Sequence, residues 1–99
     1  MSDPQALRQA IVARLSTVID PETGVDVVRM RLIEELTVDE KGGVRYTFHP
    51  SSPFCPIAVF LAMSIKAAVA EVPGVGEQVI QVVGYVQAEE LTELINQAP

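Results

Sequence analysis

The 99 residues include no tryptophan, two tyrosines, three phenylalanines, one histidine and one cysteine. With so few aromatics, a core must be assembled from Val, Ile, Leu and Ala, and a hydrophobic fraction of 48% is enough for one. A lone cysteine closes no internal disulfide, which fits a reducing compartment and a cytoplasmic location. Basic residues are scarce: 7 Lys plus Arg stand against 13 Asp plus Glu, a formal net charge of −6. Phosphate contacts need clustered Lys and Arg, so neither nucleic acid nor an anionic membrane surface is an expected partner. Long apolar runs are missing too. The most apolar stretch, residues 56–70, contains Lys66 and falls short of the roughly 18 residues of a membrane-span candidate. The opening MSDPQALRQA lacks the basic-then-apolar order of a signal peptide. Repeats, low-complexity tracts and linkers are absent, and the length suits one domain over residues 1–99.

The segments that are present alternate in period. Ser2 or Asp3 followed by Pro4 starts a helix, and Leu7, Ile11, Leu15 and Val18 recur at helical spacing to about residue 17. The DPETG segment, residues 20–24, is a turn. From Val25 the period becomes two. Val28, Met30, Leu32, Leu36 and Val38 share one face, with Glu34 as the exception, which predicts a strand with one covered side. Residues 39–43, DEKGG, predict a hairpin turn, and Val44, Tyr46 and Phe48 alternate along the returning strand. A helix that is apolar almost all round follows in IAVFLAMSIKAAVAEV, so more than one of its faces needs cover: the sheet takes one, and either a second chain or the rest of the core takes another. After a VPGVGEQ loop, residues 79–83 predict a third strand. Ala88, Leu91, Leu94 and Ile95 mark a closing helix with Glu89 and Glu90 in its first turn. The expected class is α+β, in the order helix-strand-strand-helix-strand-helix, with a small three-stranded sheet carrying its helices on one face. The third strand follows a helix and is therefore expected parallel to a hairpin strand.

Chemistry concentrates in SSPFCPIA, residues 51–58, where the one thiol lies between two prolines. Two helix starts fit this corner. Pro56 at the first helical position makes Cys55 the N-cap; Ser52 as cap with Pro53 next puts Cys55 in the first turn. Either way the sulfur lies near unpaired backbone N–H groups, which favour the thiolate, the nucleophilic and metal-binding form. Ser51 and Ser52 add hydroxyls. The plain alternative is a packed thiol, since free cysteine is among the most buried residue types. Asp20 and Glu22 flank Pro21 and offer carboxylate oxygens, or else Asp20 caps its turn and Glu22 is solvated. His49 shares a strand face with Arg45 and Thr47, and a Cys–His pairing with Cys55 would point to nucleophilic catalysis. A small zinc or iron site built from Cys55 with Asp20, Glu22 or His49 is a third option, although no ligand spacing here is diagnostic.

Three motifs in this order resemble a known family, the small iron–sulfur cluster assembly domain (metal-sulfur cluster biosynthesis) of the bacterial SufT and PaaD proteins and of a cytosolic eukaryotic assembly component. Asp20-Pro21-Glu22 matches its DPE turn. Ser51 to Pro56 matches its T-x-x-x-C-P corner, with Cys55 and Pro56 in place, and Pro73-Gly74-Val75 matches its PGV loop; the resemblance runs over roughly residues 5 to 85. It implies a carrier or adaptor in iron–sulfur cluster assembly and not an enzyme, with Cys55 as the working thiol and Asp20, Glu22, Ser51 and Ser52 as its neighbours. It implies a transient iron–sulfur cluster or iron as cargo, and assembly proteins or client apo-proteins as partners. One thiolate cannot hold a cluster that takes four cysteines. Two chains must each donate Cys55, or a client or scaffold must supply the rest, or the protein positions a partner and holds no cluster. The sequence departs from the family in three places. Ser51 replaces threonine, Arg31 replaces a strand glycine that would allow close backbone approach, and the extra cysteines of PaaD tails are absent.

Overall fold

A computed structural model describes residues 3–54 and 56–97. Helix α1 spans Pro4–Leu15, and Asp3 is its N-cap, its carboxylate accepting the Gln5 N–H at 3.0 Å. Leu7, Ile11 and Leu15 form its buried stripe. The helix stops at Leu15, two residues before the expected end, because Ser16 and Thr17 turn their hydroxyls back onto the Val12 and Arg14 carbonyls. Such back-bonding competes with helix continuation.

Strand β1 covers Ile33–Val38, β2 Val44–Phe48 and β3 Gln78–Val82; helices α2, Ala58–Ala70, and α3, Ala88–Gln97, complete the expected order. The sheet order is β1-β2-β3, with β1 antiparallel and β3 parallel to β2. Val44, Tyr46, Phe48, Ile80 and Val82 are buried on the inner side, while Arg45, Val79 and Gln81 of the outer side are exposed. The helices therefore cover one face. From α2 the core takes Ala58, Leu61, Ala62, Ile65, Ala68 and Val69. Tyr46 donates its hydroxyl to Gln78 at 3.0 Å, and Gln78 donates to the Lys66 carbonyl at 3.1 Å, so one polar chain ties β2 and β3 to α2. Burial pushes the Tyr46 phenol well above its usual value.

The strand expected from residue 28 begins only at Ile33. Residues 27–31 form a turn instead. Asp26 accepts the Arg29 N–H on its side chain at 2.9 Å and the Met30 N–H on its carbonyl at 3.1 Å, while Arg31 N–H reaches the Val28 carbonyl at 3.0 Å. Arg31 closes this turn with φ +58°, the left-handed region that glycine occupies at no cost. A glycine here would meet this backbone demand, and the position lies in a turn and not on the expected strand. Glu34 is explained as well. Between Glu34 and Thr37 the β1–β2 register shifts, and Glu35 takes φ +54°. This bulge places Leu36 inward and leaves Glu34 and Glu35 exposed.

At the hairpin, Asp39 Oδ1 accepts the Lys41 and Gly43 N–H groups, both at 2.8 Å. Gly42, at φ +85°, touches the PGV loop: a Cβ there would lie 2.2 Å from the Gly74 carbonyl oxygen. Gly76 N–H in turn donates to the Gly42 carbonyl at 2.8 Å.

Candidate functional site

The corner after β2 is held from three sides. His49 N–H donates to the Leu32 carbonyl at 2.8 Å, Val83 N–H to the Phe48 carbonyl at 3.0 Å, and Val86 N–H to the Pro53 carbonyl at 2.9 Å. The corner therefore sits where the turn before β1 and the loop after β3 meet. Pro50 is buried and anchors it, while Ser51, Pro53 and Phe54 face outward. The Ser52 hydroxyl accepts the Phe54 N–H at 3.2 Å, a local turn that leaves the phenyl ring 76% exposed.

Cys55, the expected working thiol, lies outside the described residues. Its sequence context does change. Helix α2 begins at Ala58 with Ile57 as N-cap and no side-chain cap. The first helical residue is thus neither Pro56 nor Pro53, and both expected helix starts are corrected, since each proline fixes its own φ without prolonging a helix backward.

His49 is partnered elsewhere. Its Nδ1 lies 2.9 Å from the Glu34 carboxylate, the residue that broke the apolar alternation of β1. A Cβ on Gly84, which has φ +67°, would fall 2.3 Å from His49 Nε2, so the ring lies directly against glycine backbone. The sequence marks Glu34 only as a charge on an apolar face and gives no sign of Gly84 beside the ring.

In the DPE turn the two carboxylates separate. Asp20 is 1% exposed, its Oδ1 accepting the Glu22 N–H at 2.8 Å. Its backbone N–H donates to the Val25 carbonyl at 2.9 Å, and its carbonyl accepts from Gly24 at 2.8 Å. Asp20 shapes the turn, and Glu22 projects into solvent. Among the described residues no hydrogen bond or ion pair joins this turn to residues 50–54. Nor does any group of three or more His, Cys, Asp or Glu side chains there stand ready to hold a metal ion.

An apolar surface adjoins the corner in sequence. Val59, Phe60 and Met63 of α2 are exposed, Phe60 at 58%, as is Val86 beside Pro53. From Pro50 to Ile65 the chain carries no charged residue.

This geometry has counterparts. The family described as iron-sulfur cluster assembly protein matches residues 8–82, a span that takes in the DPE turn, the corner and the PGV loop. The chain belongs to this iron–sulfur cluster assembly family. It is 34% identical over 79 residues to the Fe-S protein maturation auxiliary factor YitW of Bacillus subtilis, covering 80% of this chain and 78% of that one. An uncharacterized protein of Methanocaldococcus jannaschii is 30% identical over 90 residues, covering 91% and 95%. A crystal structure of a domain of unknown function from Bacillus anthracis superposes with a TM-score of 0.74 at 30% identity, over 93% of this chain and 90% of that one. The iron–sulfur assembly match ends at residue 82, so α3 lies beyond it. Among the described residues no helix is long and apolar enough to cross a membrane.

Proposed function

We propose that this protein is an auxiliary factor in the maturation of iron–sulfur proteins, acting in the cytoplasm as a carrier or adaptor through Cys55 and protein contacts. The observation that supports it most is the family match over residues 8–82, together with relatives from Bacillus subtilis and Staphylococcus aureus named as Fe-S protein maturation auxiliary factors. The chain has one cysteine, whereas a cluster ordinarily takes four. The cluster, or iron, is therefore cargo whose remaining ligands come from a client, a scaffold or the Cys55 of a second copy.

Around Cys55 the chain supplies a corner pinned by backbone hydrogen bonds, with the hydroxyls of Ser51 and Ser52 and the exposed ring of Phe54. Uncharged, apolar surface on the following helix suits contact with the unfinished, apolar cluster pocket of an apo-protein. Glu22 is the free carboxylate of the DPE turn, and Asp20 holds the turn that presents it. Deleting the gene in its host tests the role. The expected result is reduced activity of iron–sulfur enzymes at unchanged polypeptide levels, restored by the wild-type gene, with iron-free enzymes unaffected. Unchanged iron–sulfur enzyme activity counts against it.

A further inference from the structure

Strands β1 and β3 are the two edges of the sheet, and they are guarded differently. Edge β1 carries a bulge and two exposed glutamates, and the Arg8 guanidinium donates to its Leu36 carbonyl at 3.1 Å. Strand β3 has none of these. Residues 78–83 read QVIQVV, with no charge, proline or glycine, the composition that pairs readily with another strand.

Because Val44 N–H donates to the Glu77 carbonyl and Val83 N–H to the Phe48 carbonyl, the odd-numbered residues of β3 bond to β2, and the backbone groups of Gln78, Ile80 and Val82 point away from the sheet. Helix α3 meets them with side chains. The Asn96 amide accepts the Ile80 N–H at 2.9 Å and donates to the Ile80 carbonyl at 2.7 Å, and the Thr92 hydroxyl accepts the Val82 N–H at 3.0 Å. One carboxamide thus reproduces the two-bond exchange that a neighbouring strand residue makes. Thr92 and Asn96 are four apart, on one helix face, while Leu91 and Ile95 seat the helix in the core.

We propose that α3 is an edge guard, its Thr92 and Asn96 standing in for a fourth strand, and that β3 left without them pairs with β3 of a second copy. The strand complements itself. In an antiparallel two-fold pair centred on Ile80, the two Ile80 residues exchange both hydrogen bonds, Gln78 faces Val82, and Val79 faces Gln81. A chain of net charge −6 resists self-association over most of its surface, and this uncharged strand is where two copies meet without repulsion.

The test is sedimentation of Thr92→Val/Asn96→Leu over a concentration series. The double variant is expected to double its mass relative to wild type. Adding Val79→Lys and Gln81→Lys, which places lysine opposite lysine at exposed positions of the pair, is expected to reverse the doubling. A folded double variant of wild-type mass overturns the proposal, and so does doubling that the lysines leave intact. If the double variant does not fold, the near-isosteric Thr92→Val alone decides. Faster amide exchange at Val82 with a concentration-dependent rise in mass supports the guard, and unchanged exchange and mass overturn it.

Discussion

Single residues carry two of the turns that frame the corner. Asp20 is a buried carboxylate committed to the Glu22 N–H, so Asp20→Ala strands a donor in a tight turn. Urea unfolding is expected to show a loss of about 1–3 kcal/mol, and Asp20→Asn, which keeps an acceptor in place, a smaller one. Arg31 presents the opposite case. Its φ of +58° costs a side-chain-bearing residue what glycine does not incur, so Arg31→Gly is expected to raise stability by up to about 1 kcal/mol. An unchanged or lower urea midpoint would show that Arg31 makes up the cost through contacts of its own. The sequence leaves Asp20 open as the cap of its turn but does not show its burial, which depends on what packs over the turn. Arg31 reads as a strand residue, because a left-handed angle at a non-glycine leaves no compositional trace.

At the level of elements, most of the order could be read from hydrophobic period and turn chemistry. The hairpin at 39–43, β2 and the body of α2 lie where alternation and apolar spacing put them. Sequence and structure part where two local structures share a pattern. Val28, Met30 and Leu32 alternate as a strand would, yet the Asp26 cap bends the backbone into a turn there. The start of α2 is not legible, because Pro53 and Pro56 each look like a first helical residue while the helix begins at Ala58. Contact between loops distant in sequence was equally hidden. Gly42 of the hairpin and Gly74 of the PGV loop touch so closely that a methyl at 42 collides with the Gly74 carbonyl. Gly42→Ala is therefore expected to cost more than about 1 kcal/mol, from a disfavoured positive φ together with a clash against backbone. Thermal unfolding checks this, and a variant as stable as wild type would show that the two loops part freely.

For the whole molecule, the hydrogen-bonded chain Tyr46–Gln78–Lys66 makes the fold sensitive to base. Burial raises the Tyr46 phenol above its unfolded value of 10.0, so the folded state holds its proton where the unfolded state has released it. That contribution is fully present below pH of about 10 and declines as pH climbs from there toward the folded value. Urea midpoints are expected to fall between pH 9 and 11, with a shallower fall in Tyr46→Phe; equal slopes would place the base sensitivity elsewhere. The same compact frame sets the corner at residues 50–54 against the loop after β3 and leaves Phe54, Phe60 and Val86 exposed.

The proposed maturation role rests on the Cys55 thiol. Complementation of a deletion strain with Cys55→Ser, expressed at wild-type levels, measures this most directly, using the activity of a cluster-dependent enzyme whose polypeptide is quantified in parallel. Activity no higher than in the deletion strain is expected. Full restoration by the serine variant would contradict it.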